Sequence, residues 1–280
     1  MHIRRQIIHI LIVLIVLSPV RAWCQEKPLW ELGAGLLLLR MPDYRGSDVN
    51  RRHLFLYPYF VYRGDILRVE RERISGRIFE TDRLLLDISL NGSVPVSSSE
   101  NPDRQGMADL DPTFEIGPSL NVTLLENRQD HYKLTLTLPV RAAFSTDFSS
   151  VRHEGWVFHP RLVFEKADMI AGSGVNLGIS AGPRFADRGY HRYFYAVDPP
   201  YATPSRRPYE AGGGYSGSTV TVGLSKNKKP FIMNAFVSLD FFQGAAFEGS
   251  PLVKKQYALM TGFTISWVFL KSSRMAEKRD

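Results

Sequence analysis

The sequence predicts an all-β protein: a transmembrane antiparallel β-barrel of about twelve strands, ten being the alternative count, delivered to its membrane by an export signal. Three observations predict it. Long stretches alternate apolar and polar residues with period two, bulky aromatics gather near the ends of those stretches, and the amino terminus has the layout of a signal peptide.

Arg4 and Arg5 precede an unbroken apolar run from Ile10 to Leu17, the charge-then-apolar order of an export signal. That run is too short for a membrane-spanning helix, which needs about 20 residues. Small residues allow cleavage after Ala22 or after Cys24, and Ala22 is preferred, so residues 1-22 are expected to be removed. A lipid anchor on Cys24 is disfavoured because bulky Trp23 stands directly before it. Loss of Arg4, Arg5 and Arg21 lowers the formal charge from +7 to +4. The remaining charges mix their signs, as at Glu70, Arg71, Glu72 and Arg73, which argues against a nucleic-acid partner. Cys24 is the only cysteine, so neither an internal disulfide nor a thiolate metal site can form.

After the signal no apolar run is long enough for a helical span, but alternation recurs along the whole chain. Phe114, Ile116, Pro118, Leu120, Val122 and Leu124 share one face, and Thr113, Glu115, Gly117, Ser119, Asn121 and Thr123 the other. The next segment sets Tyr132, Leu134, Leu136, Leu138, Val140 and Ala142 against His131, Lys133, Thr135, Thr137, Pro139 and Arg141. Several segments exceed about ten residues, the length of a tilted membrane strand, against about five or six in soluble sheets. A soluble lipocalin-like barrel also alternates, but would turn its apolar face inward. Tyr132, Trp156, Phe185, Tyr257, Trp267 and Phe269 lie near segment ends, where interfacial girdles form.

The predicted strands are 29-40, 52-63, 65-79, 83-95, 112-125, 131-144, 155-166, 173-186, 190-197, 215-225, 230-243 and 256-269, making residues 23-269 one barrel in the outer membrane of a Gram-negative bacterium. Two features resist this division. Pro118, Pro139, Pro160 and Pro183 fall inside strand patterns, where each removes a ladder hydrogen bond. The long connection 96-111 falls on the opposite side from 41-51, 198-214 and 244-255. Residues 270-280 carry charge without apolar periodicity and are expected to be a disordered extension.

Local motifs go beyond this pattern. Pro42, Asp43, Tyr44, Gly46, Ser47 and Asp48 form a P-D-Y-x-G-S-D loop, followed by Tyr57, Pro58, Tyr59 and Phe60. Leu110 and Asp111 lead into Phe114, Glu115, Ile116, Gly117 and Pro118. Phe194 to Val197, then Tyr209 with Ala211 and Gly212, then Ser250, Pro251 and Val253 complete the series. In order and spacing they resemble the MipA/OmpV family, named for the MltA-interacting protein. Ala196 replaces a usual glycine, Gly249 a usual acid, and the chain runs on past Phe269. The resemblance implies a non-enzymatic scaffold in the outer-membrane lipid, associating a lytic transglycosylase with a bifunctional murein synthase.

The residues themselves offer little catalytic chemistry. Asp43, Ser47, Asp48 and Asn50 present oxygen ligands, but not at calcium-loop spacing, and a tight turn explains them more simply. His53, His131, His153, His159 and His191 stand without a G-x-S-x-G elbow, and Gly212 to Gly214 lack a phosphate loop's lysine. No metal or cofactor is expected. The polar-face charges Glu115, Lys133, Arg141, Arg161, Glu165 and Arg184 are the candidate lumen residues, able either to pair across a narrow barrel or to filter solutes. Alternatives to the scaffold are therefore a small porin-like diffusion channel and a surface adhesin using the loops 198-214 and 244-255.

Overall fold

The computed structural model describes residues 28–63, 67–70 and 73–276, without the side chains of 67–70 and 73–78. The expected signal at 1-22 lies outside the described residues. The strands are β1 (Trp30–Pro42), β2 (Asn50–Arg63), β3 (Leu67–Glu70), β4 (Arg73–Glu80), β5 (Leu84–Ser93), β6 (Thr113–Asn127), β7 (Tyr132–Thr146), β8 (Val151–Phe158), β9 (Arg161–Lys166), β10 (Val175–Ala186), β11 (Gly214–Lys228), β12 (Phe231–Phe241) and β13 (Tyr257–Lys271). One helix, α1 (Arg188–Tyr195), follows β10. Apart from β8 and β9, each strand pairs antiparallel with its sequence neighbour, and β13 pairs with β1, so the sheet closes on itself. β8 and β9 both lie between β7 and β10 and are two halves of one strand, broken at His159 and Pro160. The ring thus has twelve strands.

Burial is inverted relative to a water-soluble barrel. Along β6 the polar Thr113, Glu115, Ser119 and Asn121 are buried, while Phe114, Ile116, Leu120 and Leu124 are exposed. On β7, Thr135, Thr137 and Arg141 are buried and Val140 is exposed. Apolar residues outside and polar ones inside is the arrangement that hydrocarbon selects and water forbids. Aromatics cluster at both ends of the outer band. Trp267–Phe269 and Tyr132–Phe164 lie at one end, and Phe114–Phe144 and Phe158–Phe185 at the other.

The count of twelve holds, but two of the expected strands differ. The segment 65-79 is a hairpin of β3 and β4, because the register turns back between Glu70 and Arg73 in the middle of the charge run. The segment 190-197 is largely helix: Asp187 accepts a hydrogen bond from the Tyr190 amide at 2.9 Å and caps α1. These two differences cancel in the count and restore the loop parity. Connections 43–49, 94–112, 147–150, 187–213 and 242–256 all lie at one end, the mouth, with the short turns 81–83 and 128–131 at the other. Two of the four prolines fit as well, while Pro118 and Pro139 stay inside β6 and β7. Pro160 marks the β8/β9 break, and Pro183 adjoins a register shift in β10.

β13 continues to Lys271, and the described residues beyond it, 272–276, run back along the start of the chain. The Ser272 amide donates to Trp30, the Leu29 amide donates to Arg274, and Pro28 bridges Met275. Of the expected 270-280 extension, only 277–280 lies outside the described residues.

Candidate functional site at the barrel mouth

The mouth is filled by protein. α1 turns Tyr190, His191, Phe194 and Tyr195 inward, where they pack with Tyr44, Leu110, Val197, Phe242, Phe247 and Leu252 into one apolar core. Tyr195 stacks on Phe247 with ring centroids 3.8 Å apart, and His191 meets the same ring edge-on at 5.1 Å. Most of this core comes from α1 and the mouth connections, with Ala143, Val157, Ala186 and Ala258 added from the strands. Five of the sequence motifs, from distant places in the chain, contribute to it, while Tyr57 and Tyr59 pack in a separate cluster with Val61 and Ile232.

The Asp43–Asp48 loop is the fastening. Asp43 accepts from Arg51 Nε at 2.7 Å and from Asn101 Nδ2 at 2.8 Å, joining the β1–β2 turn to the 94–112 connection. Both carboxylate oxygens are thereby occupied by donors, which suits a fastening and not a cation. Tyr44 donates its hydroxyl to the Leu252 carbonyl at 2.9 Å. Gly46, with a φ of +95°, accepts at its carbonyl from the amides of Lys254 and Lys255. Ser47 accepts from Asn101, and Asp48 is exposed, its carbonyl accepting from Asn50 Nδ2. Tyr195 donates to the Arg45 carbonyl, and Ser250 donates to the Tyr195 carbonyl at 2.8 Å. Tyr209 bridges Val197 and donates its hydroxyl to the Ala246 carbonyl.

Beneath this plug sits a charged knot. Glu115 on β6 accepts from Arg141 Nε of β7 at 2.8 Å and from the Tyr190 hydroxyl at 3.2 Å, with Arg184 of β10 at 3.8 Å. Arg141 also donates to Ser89 on β5. The three charged side chains are nearly fully buried, so each needs the others; removing one leaves an uncompensated charge. Tyr190 therefore ties the helix to the barrel wall. Burial pushes its phenol pKa up to about 12, keeping it a hydrogen-bond donor.

His191 forms a second tie. Its Nδ1 donates to the Gly212 carbonyl at 2.6 Å, which leaves Nε2 to accept from the Ser216 hydroxyl at the head of β11. Burial lowers the imidazole pKa, so the ring is held neutral. Arg104 runs along the Tyr44 ring and donates to the carbonyls of Phe194 and Ala108.

Of the six expected lumen charges, Glu115, Arg141 and Arg184 come together in this knot. Lys133 and Glu165 face each other across the β7–β9 pair at the far end, beside a groove of about 550 Å³ lined also by Glu126, Arg128 and His131. Arg161 lies beside Thr137, at the start of β9. The six charges do not form one ring. The roles of Tyr190, His191, Tyr195, Ser216 and Phe247 were not anticipated, because they depend on α1, which reads as a strand. Among the described residues no cluster of His, Cys, Asp and Glu could hold a metal ion.

A family model described as MltA-interacting protein MipA matches residues 33–269, nearly the whole described barrel and each of its mouth-closing segments. The chain belongs to the MipA family. It is an outer-membrane β-barrel protein. No curated protein matches it. Among solved structures, this MipA-family chain is similar to a bacterial polysaccharide outer membrane secretin at 9% identity, covering 88% of this chain and 100% of that one, with a TM-score of 0.44. It is similar also to the outer membrane phospholipase A of Escherichia coli at 8% identity, covering 91% and 96%, with a TM-score of 0.33. The Ralstonia pickettii toluene transporter TbuX is 10% identical over 89% of this chain and 71% of that one, with a TM-score of 0.27.

Proposed function

We propose that this barrel is a non-enzymatic scaffold of the cell envelope, holding murein-processing enzymes at the inner surface of the outer membrane. The observation that carries this reading is the packed mouth: a barrel whose lumen is stoppered by its own motifs is suited to presenting surfaces rather than to passing solutes. The family's description as MltA-interacting protein supports a lytic transglycosylase as partner, and a bifunctional murein synthase is the second expected one. The end at which β1 begins and β13 finishes, with the short turns, would face the periplasm. There the 167–174 connection exposes Met169 and Ile170, apolar residues that a partner could cover. The buried Ser216–His191 contact argues against hydrolysis at that pair, since neither side chain reaches solvent.

The test is capture of a purified lytic transglycosylase by the full-length barrel in lipid vesicles. Capture that is lost on Ile170→Asp supports the reading; no capture by the unmodified barrel refutes it. The porin-like reading keeps one supporting observation, the polar lumen wall of Ser119, Asn121, Thr135 and Thr137. It requires the plug to leave, and steady conductance of the unmodified protein in planar bilayers would favour it over the scaffold.

A further inference from the structure

A bulge in β6 decides which way Glu126 points. Phe114, Ile116, Leu120 and Leu124 face outward, so unbroken alternation would turn Glu126 toward lipid as well. The register shift between Thr123 and Leu125 moves it by one place and sets it opposite Lys133 of β7. Bulges at barrel rims re-aim side chains in this way. Lys133 is in phase with the buried Thr135 and Thr137, so it and Glu126 share the lumen face.

Glu165 of β9 faces Lys133 from the other side, which gives the row Glu126, Lys133, Glu165 across three neighbouring strands. Glu126 is compensated by Arg128 at 3.5 Å. Lys133 and Glu165 remain, opposite charges on register partners, the placement in which an ion pair ordinarily closes. Among the described residues they do not close one, and both line the groove of about 550 Å³ together with Arg128 and His131. That volume lies within the range of small-ligand sites, roughly 300–1,000 Å³.

The row continues past Glu165 into Gly178 of β10 and its register partner Gly223 of β11. Neither glycine adds a side chain, and a Cβ at Gly178 would meet nothing within 4 Å, so the wall beside Glu165 is bare. A ligand that matches this surface brings a carboxylate for Lys133 and an ammonium for Glu165, each able to make a charge-assisted hydrogen bond. Because the two protein charges are neighbours, the ligand's two charges must be neighbours as well. A ligand of one sign satisfies one partner and sets its charge against the other.

We propose that this groove binds a free α-aminocarboxylate group, carried by an amino acid or by the side chain of a short peptide, with the rest of the ligand lying over Gly178 and Gly223. On the orientation proposed above the groove opens to the periplasm. Binding needs neither that orientation nor a partner enzyme, so either reading can fail without the other.

The test is equilibrium dialysis of radiolabelled probes against the full-length barrel in lipid nanodiscs, which leave both ends in solution. Alanine and alanyl-diaminopimelate carry the group, the latter on its side chain; N-acetylalanine and alanine amide each lack one of its charges. Saturable binding of a carrier, without binding of the two blocked probes, is the expected result, and the tighter carrier identifies the source as amino acid or peptide. Lys133→Ala and Glu165→Gln should each weaken it by about tenfold or more, the loss of one hydrogen bond between charged groups, with heat-modifiable gel migration unchanged. Lys133→Arg should restore part of the loss. No saturable binding of either carrier, blocked probes that bind as well as the carriers, or undiminished binding in a folded Lys133→Ala barrel overturns the proposal; should that variant not fold, the blocked probes decide.

Discussion

Phe247→Ala is the sharpest perturbation of the plug. The ring is fully buried, stacked on Tyr195, edge-on to His191 and 5.8 Å from the Phe242 ring, with no part in the barrel wall. Truncating a core phenylalanine costs about 3–5 kcal/mol, a transfer loss plus a cavity. All of that cost falls on the plugged state, because the barrel keeps its strand ladder. At about 1.4 kcal/mol per decade, the unplugged population rises by roughly a hundredfold or more. Planar-bilayer recording reads this directly: the unmodified protein is expected to be silent and Phe247→Ala to show frequent openings. Phe241→Ala, on the neighbouring residue but exposed on the outer face, is the control and stays silent. A Phe247→Ala barrel as silent as the unmodified one, with its gel shift intact, refutes the reasoning.

Other expectations follow from the same geometry. Glu115→Gln leaves Arg141 and Arg184 buried without their carboxylate, and is expected to lower stability by about 3–5 kcal/mol in urea unfolding, whereas exposed Glu165→Gln stays within about 0.5 kcal/mol. Gly46→Ala meets both the positive φ and Val253, whose Cγ1 lies 3.1 Å from the new Cβ; a cost of about 1–2 kcal/mol should appear as faster exchange of the Lys254 amide. His191 is held neutral in the plug by burial, while an undocked imidazole takes a proton near about 6.5. The undocked form therefore binds more protons as pH falls, so closure is at full strength above that value and weakens below it. Exchange of the Ala196 and Ala245 amides, corrected for intrinsic rates, should accelerate from neutral to mildly acid pH, and His191→Gln should flatten the profile.

The barrel is legible in the sequence wherever one rule governs a strand. β6, β7, β11 and β13 alternate cleanly because lipid lies on one side and a polar lumen on the other, so every second residue carries the signal. Legibility fails where a local choice overrides the period. Arg188–Tyr195 is rich in aromatics, which favour strands, yet Asp187 caps a helix and the inward set of Tyr190, His191, Phe194 and Tyr195 has helical spacing. That spacing was available as a signal. The reversal between Glu70 and Arg73 falls inside a charge run with no glycine or proline to mark it, so nothing local announced it.

The site was half legible for a different reason. The motif loop at Asp43 to Asp48 stands out in the sequence, but its meaning is its partners, and Asn101, Tyr195, Leu252 and Lys254 lie up to some two hundred residues away. Glu115, Arg141 and Arg184 could be placed on the polar face by counting, since β6, β7 and β10 carry them there. That they meet at one knot depends on strand register, which the prolines and bulges adjust. The Ser216–His191 tie needs both the helix and the register, and neither residue carries a local mark.

The claim that the family motifs fold into a plug, and are not surface loops, is tested most directly by residue-resolved hydrogen exchange of the full-length barrel in lipid vesicles. The amides of Ala196, Ala245, Val253 and Lys254 each have a backbone acceptor within the plug, so they should exchange as slowly as those of β6 and β7. Rapid exchange at these four positions, with the strands protected, would contradict it.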